Sequence, residues 1–370
     1  MGWFKACFSD LPDPRTGNAL RHNLLELLTI ALTAVICGAE SCVDFADFGR
    51  DRRSLFGEFL ELKDGIPSHD TFSRLFRLLD PAAFGTCFAQ FLERLGQVGQ
   101  GVVAIDGKTL RRSFDKASGT SALHVVTAFA CERRLVLAQA ALAGRENEIL
   151  AARHVLELLD LKGMLVTGDA MHCHGKTAQL VRDRGGDWLF SLKSNRPATF
   201  TEVAKFFADP PAPLAEHVTV DGDHGRIETR RHQVWHDVDW LNPTRSESDE
   251  APLPGLAMIG KIEATVEQDG KQSTTARYYV ASVCLPPERF AEVVRAHWQI
   301  ENGLHWVLDT GFNEDQARNR KDHGPENLAI LRKLALNVLR SARPEISIRR
   351  KRKRSGWSDE FAKSIIFQMR

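Results

Sequence analysis

The sequence predicts a mixed α/β chain in which a helical N-terminal region precedes an α/β unit interrupted by a β-rich stretch. Three observations predict it. Up to about residue 95 the apolar residues recur at helical spacing. From Val102 onward, short continuous apolar runs alternate with helical segments. Val218–Val234 and Ala257–Ala281 alternate in character, are rich in Val, Ile, Thr and Tyr, and are broken by the Asp-Gly pairs Asp221-Gly222 and Asp269-Gly270.

The elements follow in order. Asn23–Cys37 is a long apolar helix, and Val43–Leu60 carries Phe45, Phe48, Phe56 and Phe59 at helical spacing. Ser68 caps a helix running through Leu79, and Pro81–Leu95 is a further helix. The Gly-rich segment Gly96–Gly101 marks a boundary. Val102–Ile105, His124–Cys131 and Leu135–Leu142 read as three strands. They are followed by a helix at Glu148–Leu161, a strand at Met164–Thr167, a helix at Lys176–Arg184 and a strand at Trp188–Leu192. After the antiparallel β stretch, helix returns from Pro287, runs through Glu292–Leu308, and recurs at Asn327–Ala342. The expected units are residues 1–96, 97–196, 197–285, 286–342 and a basic tail, 343–370.

Composition bounds the function. The 370 residues are 43% hydrophobic and 26% charged, enough for more than one core. Forty-nine Lys and Arg against 48 Asp and Glu leave a net charge of +1, so the chain is no extreme polycation. The charge is uneven: Arg340–Arg370 holds ten basic and three acidic residues, and Arg349–Arg354 is an unbroken basic run. The N-terminus lacks an apolar secretory core, and Leu24–Ala39 includes Glu26, Thr29 and Thr33, short of the roughly 20 apolar residues of a spanning helix. Seven scattered cysteines without a C-x-x-C pair fit a reducing cytoplasm. Walker A, G-x-G-x-x-G and G-x-S-x-G patterns are absent, leaving ATPase, dinucleotide-dehydrogenase and α/β-hydrolase chemistry unsupported.

Three carboxylates carry the chemical reading. Asp106 and Asp169 each follow a short apolar strand and sit beside a glycine. An Asp there also simply begins a turn, but the carboxyl ends of strands are where α/β sheets collect reactive groups. Glu301 lies on the flank of a helix whose apolar stripe includes Val293, Ile300, Leu304 and Leu308, on one ridge with His297 and His305. A solvated helix edge gives the same spacing. Carboxylates from two strands and a helix suit Mg²⁺ or Mn²⁺ and phosphodiester chemistry. Lys108, Arg111 and Arg112 beside Asp106, and Lys193, Asn195 and Arg196 after a later strand, are candidate phosphate contacts. His172-Cys173-His174 is too close in sequence to wrap one zinc ion.

Ala104–Ser113, Val166–Cys173 and the run His297-Trp-Gln-Ile-Glu-Asn-Gly-Leu-His-Trp-Val-Leu-Asp309 resemble the DDE transposases of bacterial insertion sequences, in particular the branch that includes the H-repeat-associated proteins. Asp13-Pro14-Arg15, Cys37–Glu40, Ile66–Phe72, His224–Arg230 and Phe312–Asp315 extend the resemblance over nearly the whole chain. The resemblance implies a ribonuclease H-like catalytic domain with a β insertion before its last helix. It implies Asp106, Asp169 and Glu301 as catalytic, metal-holding residues, with Mg²⁺-dependent cleavage of transposon ends and strand transfer into target DNA. Double-stranded DNA is the implied partner, with a homodimer in the DNA complex. Related transposases carry Tyr, Arg and Lys around the Glu; Val294, His297 and Leu308 stand there here. His297 remains a candidate phosphate donor, and Trp298, Trp235 or Trp240 a base-stacking residue unless committed to the core. Arg226 is a candidate DNA contact, while the helical N-terminal domain and the basic tail are expected to bind transposon ends and DNA non-specifically. A catalytically silent DNA-binding protein and a nuclease without transfer activity are the alternatives.

Overall fold

The computed structural model describes residues 2–95, 100–142, 148–223, 225–241 and 250–369. Most of the expected boundary at Gly96–Gly101, and His224, lie outside them. The N-terminal region forms α1 (Gly2–Phe8), α2 (Leu24–Ile36), α3 (Cys42–Asp51), α4 (Arg53–Gly57), α5 (His69–Leu78) and α6 (Pro81–Leu95). The caps explain the starts. Asn23, Ser41 and Ser68 side chains accept from backbone N–H groups of Glu26, Asp44 and Thr71. The predicted helix at Val43–Leu60 divides into α3 and α4 at Arg52, which leaves helical geometry at φ −110°, ψ 28°.

The strands are β1 (Gly101–Thr109), β2 (His124–Ala130), β3 (Leu135–Leu142), β4 (Met164–Gly168), β5 (Asp187–Leu192), β6 (Ala215–Asp223), β7 (Arg226–Trp235), β8 (Met258–Gln268) and β9 (Lys271–Ala281). They form one sheet in the order β3-β2-β1-β4-β5-β9-β8-β7-β6. The strands β4 and β5 run parallel to β1, and all other pairings are antiparallel. The β-rich stretch therefore continues the central sheet, joined where β9 pairs with β5. At Asp269-Gly270 both residues have positive φ (51° and 72°), the conformation of a two-residue hairpin turn. Asp221-Gly222 instead remains inside β6, paired with Glu228 and Ile227.

Helices cover both faces. α7 (Glu148–Glu157), α8 (Gly175–Asp183) and α9 (Pro197–Ala208) lie on one side, where Val103, Ile105, Val166 and Phe190 share a core with Ala152, Val155, Val181 and Val203. On the other side come α10 (Pro287–His297), a π-helical turn at Ile300–His305, α11 (Trp306–Phe312) and α12 (Gly324–Ser341). There Val102, Ala104, Phe129 and Leu189 join a core that includes Leu331, Leu334 and Phe290, and also Leu28, Phe45, Phe76 and Phe88 of the N-terminal helices. The N-terminal helices thus share one apolar cluster with the sheet. Asn327 fixes the junction, donating from Nδ2 to the carbonyls of Phe76 and Leu79.

The basic tail is helical. It forms α13 (Ile348–Trp357) and α14 (Asp359–Ile366), docked on the helices. Lys351 is buried and donates to the carbonyls of Leu339 and Ala342. Arg352 is buried, donates to Val35 O and lies 4.3 Å from the Phe312 ring centroid. Arg349, Arg350, Lys353 and Arg354 face solvent, so only part of the basic run is exposed. Among the described residues, no helix is long and apolar enough to cross a membrane.

Candidate active site

Asp106 lies inside β1 rather than at its end. The strand continues to Thr109 because β2 pairs with it the whole way. The parallel partner β4 stops sooner: Ala104 pairs with Thr167, and β4 ends at Gly168. Carrying that register forward two residues sets Asp106 level with Asp169, across strands about 4.8 Å apart. Period-two alternation puts Val102, Ala104, Asp106 and Lys108 on the face covered by α10–α12. Gly107 faces the other way, under His124 and Glu148: a Cβ there would stand 2.4 Å from His124 Nε2 and 2.5 Å from Glu148 Oε1. Any side chain there would have to push these two groups aside.

The helix expected to run unbroken through Glu292–Leu308 opens into the π turn, and Glu301 and His305 both lie within it. His305 Nδ1 is 3.3 Å from Glu301 Oε2, to which it donates, and 3.6 Å from Asp106 Oδ2. Asp106, Glu301 and His305 each place a donor atom within 4.8 Å of the other two, close enough to share one metal ion. Two carboxylates match the oxygen donors that Mg²⁺ or Mn²⁺ takes, and the imidazole is a further donor of the kind divalent transition metals accept. Among the described residues this is the one group of three or more such side chains so placed, and His172-Cys173-His174 forms none.

The electrostatics follow. Burial, then the Glu301 charge, raises the pKa of Asp106 above the ordinary carboxylate range. The His305 hydrogen bond holds Glu301 below it. Asp169 is half exposed and begins a short 3₁₀ turn, its Oδ1 accepting from Met171 N. Its charge reaches Asp106 as a smaller upward push. Asp169 also faces buried His172, whose Nε2 lies 4.0 Å from Asp169 Oδ1 and 3.8 Å from Glu148 Oε1.

The other expected site residues divide. Lys108 does not reach open surface. Its side chain is 13% exposed and is enclosed by Asp309, by Glu314 at 3.2 Å and by Asp315 at 3.5 Å. Burial opposes its charge, yet Glu314, Asp309 and Asp315 together hold its pKa above normal. This replaces the expected phosphate contact with an internal one, because three carboxylates already neutralise the ammonium. Arg111 is 79% exposed and pairs with Asp315 at 3.2 Å; Arg112 is partly exposed and Lys193 exposed. Asn195 donates to Ala170 O at 2.6 Å, tying the turn that follows Asp169 to the end of β5. Arg196 is buried and bonded to Ala251 O. Arg226 is exposed at the start of β7, toward the far edge of the sheet, and pairs with Glu228 at 3.1 Å.

His297 faces Thr167 Oγ1 at 3.0 Å rather than the Asp106–Glu301 pair, and burial pushes its pKa down to about 4. It is therefore uncharged near neutral pH. Trp298 is half exposed, with the Arg277 guanidinium 5.7 Å from its ring centroid. Trp235 and Trp240 instead pack on Phe206, each 5.3 Å away between ring centroids. Sequence reasoning placed His305 on the ridge with Glu301 but gave it no role; its four-residue spacing was the available signal. The acidic group around Lys108 had none, since its members lie some two hundred positions away.

Residues 5–92 match the DDE_Tnp_1-associated family and residues 98–338 match the Transposase DDE domain family. The "H repeat-associated putative transposase YhhI" of Escherichia coli K12 is 33% identical over 97% of this chain and 96% of its own length. The "Putative transposase YncI" of Escherichia coli O157:H7 is 34% identical over 94% and 90%. A cryo-EM structure of the piggyBac transposase synaptic complex with hairpin DNA aligns over 99% of this chain and 77% of that one, at TM-score 0.45 and 12% identity. With a catalytic-domain match across most of its length and relatives alike from end to end, this chain belongs to the DDE transposase family.

Proposed function

We propose that this transposase cuts and joins DNA strands at one centre, where Asp106, Asp169 and Glu301 hold Mg²⁺ or Mn²⁺. The observation that carries the reading is that Asp106 and Glu301, from a strand and a distant helical turn, meet around His305. The β1–β4 register supports placing Asp169 at the same level. When bound, the divalent ions polarise the scissile phosphate and the attacking oxygen. The chain's own residues position and neutralise. Arg111, Arg112 and Lys193 bind backbone phosphates, and Arg226 contacts DNA further out. Trp298, backed by Arg277, stacks on a displaced base. His297, being neutral, orients β4 through Thr167, and Asn195 steadies the turn after Asp169.

The strand order β3-β2-β1-β4-β5, with β4 and β5 parallel to β1, supports a ribonuclease H-like catalytic domain formed by residues 97–196 and 286–342. The strands of 197–285 extend its sheet. Residues 1–96 recognise transposon ends, and the exposed half of the basic run in 343–370 adds non-specific affinity. Two ends cut together imply two protomers on DNA, acting at the bacterial nucleoid. The test supplies pre-cut double-stranded ends, a target plasmid and Mg²⁺. Joined products are expected; cleavage of uncut ends without any joining would reduce the protein to a nuclease.

A further inference from the structure

We propose that His305 is a metal ligand in its own right, making the Asp106–Glu301 end of the centre a mixed oxygen–nitrogen site that favours Mn²⁺ over Mg²⁺. The inference rests on the carboxylate centre proposed above and adds a donor to it. The geometry comes first. Two neighbouring ligands on an octahedral ion with bonds of about 2.1 Å lie roughly 3 Å apart. His305 Nδ1 stands 3.3 Å from Glu301 Oε2 and 3.6 Å from Asp106 Oδ2, so small side-chain rotations would bring all three onto one ion. The nitrogen is hydrogen-bonded to Glu301 and has Asp106 as its next nearest carboxylate.

Burial is the second argument. The His305 side chain is only 7% exposed while Glu301 is 52% exposed, so the ring lies on the buried side of the group and the carboxylate on its solvent side. Position on the chain is the third. A π turn changes the angular spacing of side chains, and this one holds both Glu301 and His305. His297, one step further along the same expected ridge, is turned to Thr167 instead. The hydrogen bond to Glu301 uses Nδ1–H; coordination uses the lone pair of that same nitrogen, with the ring proton on Nε2.

The donor set decides the metal. Mg²⁺ prefers oxygen throughout, whereas imidazole suits later divalent ions, and affinity for mixed sites rises from Mn²⁺ along the series. Asp169 is not part of the three-donor group, so the nitrogen donor bears on the Asp106–Glu301 end alone.

The experiment uses the full chain with Mn²⁺ alone, followed by electron spin-echo envelope modulation of the bound ion. Protein made with natural-abundance histidine is compared with protein carrying ¹⁵N-histidine. A nitrogen coupling that changes with the label is expected, and His305→Gln should remove it while lowering Mn²⁺ affinity at least tenfold, the scale seen for outer-sphere partners alone. Circular dichroism checks that this variant folds; the label comparison on unaltered protein stands without it. Mn²⁺ binding that depends on Asp106 and Glu301 but shows no histidine nitrogen, or a coupling that survives in folded His305→Gln, overturns the role of His305 and leaves the carboxylate centre intact. Mn²⁺ binding that is absent, or indifferent to Asp106→Asn and Glu301→Gln, overturns both.

Discussion

Asp106→Asn is expected to lower Mg²⁺-dependent DNA cleavage by about a hundredfold or more while leaving the protein folded. The size follows from removing a charged group that would be shared by the bound ions, a larger change than the 10–100-fold typical of outer-sphere losses. The retained fold follows from the site itself. Asp106 sits among like charges, with Glu301 at hand and Asp169 adding a smaller repulsion. A neutral amide of the same shape relieves that repulsion, so the melting temperature should hold or rise. DNA affinity without metal should change little, since that term rests on exposed basic side chains. Cleavage rates, thermal melts and binding isotherms on the same variant check all three.

Lys108→Met is expected to destabilise the protein by about 3–5 kcal/mol, the usual cost of stranding buried partners of an ion pair. Glu314 is 2% exposed, and its carboxylate stays below the ordinary range against burial because Lys333, Lys108 and Arg332 surround it. Without Lys108, Asp309 and Glu314 face each other with less cation between them. The network also joins β1, two residues beyond Asp106, to α11, directly after the π turn bearing Glu301. Its loss should therefore loosen the approach of the two carboxylates and reduce cleavage. A phosphate-binding Lys108 would behave differently: the salt dependence of DNA affinity would flatten by about one ion. We expect that slope to stay unchanged and the urea midpoint to fall. The Glu314 contribution has a defined pH window: because its pKa is lowered on folding, its stabilisation is present above about pH 4.3 and fades on acidification toward the folded value.

The local parts of this architecture were legible in the sequence. Short apolar runs identified all five strands β1–β5, and the side-chain cap at Ser68 marked a helix start, because both signals lie within a few residues of their effect. The departures share a different cause. Asp106 was expected at a strand end, but β2, a partner some twenty residues away, keeps β1 going to Thr109. The helix α9 was passed over because the β-rich stretch was read as beginning at Pro197, where Pro in fact starts a helix. The π turn leaves no period of its own in so short a segment. The basic tail was read by composition alone, which cannot show that Lys351 donates to carbonyls at the end of the preceding helix and Arg352 to one in distant α2. Of the candidate site, the acidic residues could be picked out one by one, whereas Lys108's partners and His305's orientation depend on how α11 and the π turn lie over the sheet.

The most direct test is nicking of supercoiled plasmid DNA by the full chain and by Asp169→Ala, each with and without added Mg²⁺. Asp169 is the decisive position because its membership rests on the β1–β4 register. Nicking that requires the cation and disappears in a folded, DNA-binding Asp169→Ala protein is what three converging carboxylates predict. Nicking by that variant at the unaltered rate would contradict them.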